Sequence, residues 1–418
     1  MSKTFVGFGF GPIQAALFVL EAYHSEHFSR LVVAEVDEET VRAIRRADGC
    51  YCVNVANQRG VKSHTIRGLE VYNPQEPSDR DQLELAIADA DEVATALPSI
   101  EFYQRGEPSV ARILAAGLGS RLTDRSSKPV IVYAAENNNH AAELLESAVA
   151  GHLDEEARAG LSLRAQFLNT VIGKMSGTVE GAERIAEQGL VPLTETLPRA
   201  CLVEAFNKIL ITRVSLSGVE RGIDVFEEKV DLLPFEEAKL YGHNAAHALT
   251  GYLARLRGYD FVSEVRDGPI FACARDAFLQ ESGAALIKRY SGADPLFTPE
   301  GWQEYTDDLM QRMTNCHLRD SIDRVTRDPA RKLGWNDRLI GTMRLALLAG
   351  IEPVRYALGA AAAAIGWQPG LSDLELEHSL NNLWREPDDP LKSRGEIHAL
   401  IRNGRKELRH WGADNGAR

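Results

Sequence analysis

Lys239, Asn244 and His247 lie close together in the sequence and carry the groups that alcohol oxidation needs. Removing a hydride from an alcohol requires a base for the hydroxyl proton and a hydrogen-bond donor for the oxygen. A buried lysine with a lowered pKa can be the base, an asparagine amide the donor, and a histidine can orient the substrate. On an α-helix, offsets of about 140° and about 60° keep the three within one broad sector. Because a polar helix face has the same pattern, spacing alone leaves both interpretations open.

A glycine-rich segment, Gly7-Phe-Gly9-Phe-Gly11-Pro12, follows the first predicted strand and precedes the first predicted helix. Glycines in this position permit a tight turn and let backbone N–H groups approach a pyrophosphate at a helix N-terminus. Proline suits the first helical turn, where its missing N–H costs nothing. The usual spacing puts a third glycine at position 12, so the match to a dinucleotide-binding turn is imperfect.

An acidic residue, Glu35, stands at the end of the second predicted strand. A carboxylate there can accept hydrogen bonds from the adenosine ribose hydroxyls and repels a 2′-phosphate, which favours NAD over NADP. Asp37 is a second candidate for binding the ribose hydroxyls. For either residue, the alternative is a solvent-exposed carboxylate at the end of a strand with no role in binding. The order strand, turn, helix, strand, carboxylate predicts dinucleotide binding.

Helices and strands must position these residues, and the pattern of apolar residues that predicts them changes along the chain. Strand-like and helix-like runs alternate in the first third, which predicts an α/β, Rossmann-like domain with a parallel sheet. Irregular β-rich segments follow, and beyond Leu232 nearly every run has helical spacing. We therefore predict a Rossmann-type NAD-binding domain over 1–195 and a mainly helical substrate and catalytic domain over 196–418.

Charge and composition argue against several classes of protein. The 418 residues carry a net charge of −13, which argues against a general nucleic-acid surface. Five cysteines form no disulfide framework at this length, and the sequence opens on a strand-like run without a leader. The longest apolar stretch, 357–365, is too short to cross a bilayer. We expect a cytoplasmic protein with no membrane or nucleic-acid partner.

The segment from Lys239 to Leu253, KLYGHNAAHALTGYL, resembles the signature of the polyol-specific long-chain dehydrogenases, the mannitol dehydrogenase family. Within that family it is most similar to the branch that acts on mannitol 1-phosphate. Further similar segments lie at 34–37, 135–137, 324–333 and 336–340. One departure stands in the signature itself, because the usual Asn-Thr-Gly-His is Asn-Ala-Ala-His here, and this puts the identity of the substrate in doubt.

The resemblance implies a metal-independent, NAD-dependent oxidoreductase and a role for each matching residue. Lys239 would be the general base, Asn244 would polarise the carbonyl oxygen, and His247 would hold the substrate. Asn169 would be a second donor to the oxygen, although the sequence after it departs from the family pattern. Glu236 matches a position proposed to relay protons; a surface carboxylate is the alternative.

For the cofactor, the resemblance adds Glu35 and Asp37 at the second strand end and Asn137 in a cofactor-side loop. It also implies a small-molecule sugar alcohol or its phosphate as substrate and a monomeric protein.

A phosphorylated substrate would need positive charge, and basic residues cluster at 324–338. Arg331 and Lys332 are the candidates for binding a phosphate. The alternative is that this cluster pairs with nearby aspartates, and related enzymes of free polyols or hexuronates carry similar residues. A non-catalytic NAD-binding sensor or degenerate paralogue is the alternative from another class.

Overall fold

The computed structural model describes residues 3–124, 126–384 and 391–411, and divides into two compact units that meet between Leu233 and Pro234. The boundary therefore lies after residue 233, which corrects the predicted boundary at 195. The reason is strand pairing, since three strands beyond position 195 join the sheets of the first unit. The predicted fold class, a Rossmann-type domain followed by a helical domain, is confirmed.

The strands of the first unit are short. They are β1 (Lys3–Phe8), β2 (Phe28–Ala34), β3 (Tyr51–Asn57), β4 (Gly60–Ile66), β5 (Leu69–Tyr72), β6 (Glu92–Thr95), β7 (Val130–Ala134), β8 (Ala165–Val171), β9 (Ser176–Glu180), β10 (Arg199–Glu204), β11 (Ile209–Thr212) and β12 (Phe226–Lys229).

Within the described ranges, these strands form two sheets. The larger has the order β12-β11-β8-β7-β6-β1-β2-β5, and its run from β8 to β5 is parallel. The smaller has the order β4-β3-β10-β9. Neighbouring residues of β1 enter separate cores, Phe5 on one face and Val6 on the other. Both faces of the larger sheet are therefore covered, as is usual for parallel sheets.

The first unit also contains helices. The α-helices are α1 (Val19–His24), α2 (Glu38–Arg46), α3 (Pro77–Asp89), α4 (Val110–Thr123), α5 (Ala141–Ala150), α6 (Glu155–Arg164) and α7 (Ala182–Glu187), and a π-helical segment, Gln14–Phe18, leads into α1.

The second unit is helical throughout its described residues and has its own apolar core. Its α-helices are α8 (Leu233–Glu237), α9 (Asn244–Leu256), α10 (Pro269–Ala277), α11 (Ala284–Arg289), α12 (Pro299–Met313), α13 (Ile322–Thr326), α14 (Pro329–Lys332), α15 (Ile340–Leu348), α16 (Val354–Trp367), α17 (Asp373–Leu383) and α18 (Leu391–Trp411). Two π-helical segments, Ala238–His243 and Phe278–Gly283, join α8 to α9 and α10 to α11. In the part of the chain that the structure describes, no helix is long and apolar enough to span a bilayer.

Candidate active site

Two of the three predicted glycines form the turn after β1. Gly9 has a φ of +80°, which favours glycine, and an added Cβ would lie 2.9 Å from the carbonyl oxygen of Ala96. Gly11 begins the following helix, and its carbonyl accepts the N–H of Ala15 at 2.9 Å. Among the described atoms beyond its chain neighbours, none lies within 4 Å of a Cβ added at Gly11, so a ligand can approach the backbone there.

Gly7 lies inside β1, opposite Val33 and Ala94, and not in the turn, which corrects the prediction. A Cβ at Gly7 would overlap the side-chain amide of Gln14. Because Gly9 and Gly11, and not Gly7 and Gly9, are the glycines of the turn, the usual spacing puts the third glycine of the motif at position 14 instead of 12. Gln14 stands there, where a glycine usually allows close helix–strand packing. The glycine inside the strand therefore makes room for a side chain on the helix.

Glu35 connects the glycine-rich turn to the end of β2 through hydrogen bonds. Its Oε2 accepts the N–H of Phe10 at 2.7 Å, and its Oε1 accepts the N–H of Asp37 at 2.8 Å. Because each carboxylate oxygen can accept more than one hydrogen bond, ribose hydroxyls can still be accepted. The structure thus adds a role in holding the turn to the predicted role in cofactor binding.

Asp37 precedes α2 and is held by two side chains. The hydroxyl of Thr40 donates to Oδ2 of Asp37, and Nη1 of Arg199 lies 3.1 Å from the same oxygen. Both contacts lower the pKa of Asp37, Thr40 more strongly than Arg199. Sequence reasoning missed Arg199 because it lies 162 positions along the chain. Its strand, β10, had been placed in the other domain.

A cavity of about 280 Å³ opens beside this group. Its lining includes Phe10, Gly11, Glu35, Asp37 and Arg199. It lies at the carboxyl ends of β1 and β2, where open α/β sheets bind ligands. The turn, the cavity and the two carboxylates fit the adenosine end of a dinucleotide.

Glu136 connects the loops that follow β6 and β7. Its buried carboxylate accepts the N–H of Leu97 at 2.8 Å and the hydroxyl of Thr95 at 2.9 Å, and also the hydroxyl of Tyr103. Burial raises the pKa of Glu136, while these hydrogen bonds oppose the rise. The predicted cofactor residue Asn137 follows it directly and is exposed. Glu136 therefore positions the loop that carries Asn137.

Asn169, the predicted second donor to the substrate oxygen, lies on β8 and is engaged within the first unit. Its Oδ1 accepts the N–H of Ala142 at 2.9 Å, in the first turn of α5. Its Nδ2 donates to the carboxylate of Glu143 at 2.9 Å and 3.0 Å. In this structure the amide holds the start of a helix, so its role toward substrate remains a prediction.

The Lys239 segment is helical but not uniformly α-helical. Residues Ala238–His243 form a π-helical turn, in which the N–H of Asn244 donates to the carbonyl of Lys239. A hydrogen bond between residues five apart places these two residues one above the other on the helix. The predicted offset of about 140° assumed α-helical geometry. The π-turn replaces it and brings Lys239 and Asn244 to the same face.

The surroundings of Lys239 suit a base near neutral pH. The side chain is only partly exposed, and burial lowers the pKa of Lys239 to about 8. The positive charge of Arg338 contributes to this lowering of the pKa, while the negative charge of Glu236, one turn earlier, opposes it. An amine with such a pKa exchanges protons readily at physiological pH.

His247, on α9, contacts a carboxylate that also pairs with the basic cluster, as the pairing alternative expected. Nε2 of His247 lies 2.9 Å from Oδ2 of the buried Asp320. The other oxygen of Asp320 accepts two N–H groups of Arg324, at 2.8 Å and 2.7 Å. Burial favours a raised pKa for Asp320, but His247 and Arg324 outweigh it, and the pKa is lowered. An ionised Asp320 therefore lies beside one ring nitrogen of His247, Nε2.

The basic cluster divides into paired arginines and one buried lysine. Arg324, Arg331 and Arg338 each contact an aspartate, at 2.7 Å to 3.1 Å, as the pairing alternative expected. Lys332 is buried, donates to the carbonyl of Arg327, and lies 6.0 Å from the ring centroid of Tyr252. Burial lowers its pKa, and together with the charges of Arg338 and Arg331 brings it to about 8. Of the two predicted phosphate ligands, Lys332 is buried near other cations and Arg331 is exposed.

Comparison with known proteins identifies the family. Residues 3–223 match the mannitol dehydrogenase Rossmann domain, and residues 231–368 match the mannitol dehydrogenase C-terminal domain. Mannitol-1-phosphate 5-dehydrogenase of Geobacillus thermodenitrificans is 34% identical over 318 residues, which cover 74% of this chain and 73% of that protein. The enzyme of the same name from Halalkalibacterium halodurans is 31% identical over 301 residues, 72% of this chain and 71% of that protein.

Two solved structures share the fold. A D-sorbitol dehydrogenase in substrate-free form has a TM-score of 0.75 at 17% identity, covering 99% of this chain and 94% of its own. Mannitol 2-dehydrogenase of Pseudomonas fluorescens, in a ternary complex with NAD and D-mannitol, has a TM-score of 0.69 at 17% identity, covering 100% and 93%. The predicted class of enzyme is confirmed: the chain belongs to the mannitol dehydrogenase family of oxidoreductases.

Proposed function

We propose that this protein catalyses the NAD-dependent interconversion of a sugar alcohol phosphate and its ketose, of the type mannitol 1-phosphate to fructose 6-phosphate. The observation that carries this proposal is Lys239, with a pKa of about 8, placed over Asn244 by a π-turn. The name shared by the curated relatives supports the substrate class. The cytoplasmic location and the monomeric state stay predictions.

The first unit offers a fitting site for NAD, which would accept the hydride when bound. The open space beside Gly11 lets a pyrophosphate approach the backbone at the start of the helix, while Gly9 gives the turn its positive φ. Glu35 and Asp37 face the cavity beside the turn and would receive the ribose hydroxyls. Asn137 would contact the cofactor from the loop after β7. Gly7 acts from within the strand, by making room for the side chain of Gln14 on the following helix.

The second unit supplies the proton chemistry. Neutral Lys239 accepts the hydroxyl proton at Nζ during oxidation, and protonated Lys239 returns it during reduction. The π-turn brings Asn244 to the same face of the helix as Lys239. The side-chain amide of Asn244 donates a hydrogen bond to the same substrate oxygen. His247, held by Asp320, binds a neighbouring hydroxyl through Nδ1. No step in this scheme calls for a metal ion, and the proposed enzyme is metal-independent.

Glu236 and Asn169 have supporting roles in the proposal. Glu236 lies one helical turn before Lys239 and raises its pKa, so it is placed to pass the proton onward. Asn169 would add a second hydrogen bond to the substrate oxygen if Glu143 released its Nδ2.

The preference for a phosphate ester is supported by charge. Arg338 influences the pKa of both Lys239 and Lys332, so the two lysines share one cationic environment in a protein of net charge −13. A phosphate dianion would be stabilised there, and Lys332 is the proposed ligand with Arg331 as a peripheral contact.

The test follows NADH oxidation with fructose 6-phosphate, fructose and a hexuronate, using wild type and Lys239→Met. We expect turnover of fructose 6-phosphate that the variant loses. Turnover of fructose or the hexuronate alone would place the protein in another branch of the family. Absence of turnover with tight NADH binding would favour the non-catalytic sensor, and an active Lys239→Met enzyme would overturn the mechanism.

A further inference from the structure

Arg199 introduces a guanidinium group into a cavity whose other charged lining residues are carboxylates. Glu35, Asp37 and Glu180 line the same cavity of the first unit. Nη1 of Arg199 lies 3.1 Å from Oδ2 of Asp37, and its Nε lies 3.9 Å from Oε1 of Glu180. The side chain of Arg199 is 34% exposed, so it borders the cavity. Nothing in the sequence pattern or the family comparison assigns this residue a role.

An arginine at the adenosine end of a dinucleotide site is the usual partner of the 2′-phosphate of NADP. Its planar fork binds phosphate oxygens in a bidentate manner. In this structure Nη1 of the Arg199 guanidinium already donates to Asp37, and the hydroxyl of Thr40 lies 3.1 Å from Nη1. The groups needed to bind a 2′-phosphate are therefore present but neutralised.

We propose that the Asp37–Arg199 pair sets the preference between NAD and NADP, with Asp37 keeping Arg199 from binding a 2′-phosphate. Asp37 has two effects in this arrangement. It occupies the guanidinium of Arg199, and it adds a negative charge where the 2′-phosphate would lie. Arg199 in return holds the carboxylate of Asp37 in place for the ribose hydroxyls. The proposal rests on the proposed use of NAD and extends it to a residue that determines cofactor specificity.

The same pair explains why a second carboxylate stands near Glu35. Both oxygens of Glu35 accept backbone N–H groups, which fixes its carboxylate to the turn. Asp37 is held mainly by the side chains of Thr40 and Arg199, with a backbone hydrogen bond from Glu39 as a smaller contribution, and the side chains can rearrange. A change of specificity at this site therefore acts through Asp37 and Arg199, while Glu35 keeps the turn in place.

The experiment compares wild type, Asp37→Asn, Arg199→Met and the double variant. Affinities for NADH and NADPH are measured by fluorescence, and affinities for AMP and adenosine 2′,5′-bisphosphate by calorimetry. We expect Asp37→Asn to bind NADPH and the bisphosphate at least tenfold more tightly than wild type does. The double variant should lose that gain, because the guanidinium is absent. Arg199→Met alone should weaken binding of NADH several-fold.

Glu180→Gln is the matched control, since it removes one carboxylate of the cavity without releasing Arg199 from Asp37. It should improve binding of the bisphosphate by less than threefold. An equal gain in Asp37→Asn and in the double variant would overturn the proposal, because relief of repulsion alone would explain it. No gain in Asp37→Asn would overturn it as well. Because the adenosine probes require no turnover, these outcomes are distinguishable from failure of the proposed reaction.

Discussion

Oδ2 of Asp320 lies 2.9 Å from Nε2 of His247, and the second oxygen of Asp320 is held by Arg324. A buried carboxylate in this position favours one orientation of the imidazole ring, in which Nε2 faces Asp320. Asp320 thus acts on His247, a predicted site residue, from outside the Lys239 signature.

Replacing Asp320 by Asn should reduce kcat/KM by about 10- to 100-fold, since an interaction with a charged partner typically contributes about 1.5–3 kcal/mol. The ring of His247 would lose its fixed orientation, so most of the loss should lie in KM for the sugar. Steady-state kinetics check this, with Asp323→Asn as control because Asp323 is an exposed aspartate that contacts Arg255. Equal kinetics of both variants would show that Asp320 does not act through His247.

The pH dependence should follow Lys239. Its pKa is lowered to about 8, so the neutral form predominates above that pH. The rate of polyol oxidation should rise through about pH 8, and the rate of ketose reduction should fall over the same range. Glu236→Gln should move both midpoints to lower pH, because Glu236 raises the pKa of Lys239. Profiles of kcat/KM from pH 6 to 10 measure this.

Lys239→Met should lower activity by about 10²- to 10⁴-fold, the usual contribution of a general base. Lys288→Met is the control, because Lys288 is exposed and donates only to the carbonyl of Ala349 among the bonds described. A midpoint for the oxidation that stays near pH 8 in Lys239→Met would assign the titration to another group.

The preference for a phosphorylated substrate can be tested at two adjacent residues, Arg331 and Lys332. Lys332→Met should raise KM for fructose 6-phosphate at least tenfold and leave KM for NADH unchanged. Arg331→Met should change KM less than threefold, because Arg331 is exposed and contacts Asp328. If Arg331→Met has the larger effect, the phosphate is bound at the exposed arginine instead.

Gly7→Ala should destabilise the first unit by about 1–3 kcal/mol, since the new methyl group overlaps the amide of Gln14. Adding Gln14→Ala should restore much of the loss by removing the overlapping atoms. Among the described residues the Gln14 amide has no hydrogen-bond partner, so truncating it forfeits no such bond. Urea unfolding of the single and double variants measures the coupling. Additive effects would contradict the predicted contact.

Asn169→Ala should lower stability by about 1 kcal/mol, because the N–H of Ala142 in the first turn of α5 loses its acceptor. Asn169→Asp keeps an acceptor for that N–H but places a second carboxylate beside Glu143. Thermal unfolding of both variants, together with kcat at a temperature where each is fully folded, separates the two roles. A fall in kcat without loss of stability would establish Asn169 as a donor to substrate.

The sequence by itself determined the class of fold, the helical nature of the Lys239 segment and the chemical groups for alcohol oxidation. These features are local, since apolar periodicity, a glycine turn and a short signature can be read within a few turns of chain. The carboxylates at the end of β2 were recognised for the same reason.

The tertiary structure alone decided how these residues are arranged. Arg199 reaches Asp37 because β10 pairs with β3, which also moves the domain boundary beyond position 233. The role of Gly7 depends on Gln14, and the alignment of Lys239 with Asn244 depends on one π-turn. Spacing rules assume regular helices and near neighbours, whereas strand pairing and close packing join residues far apart in the chain.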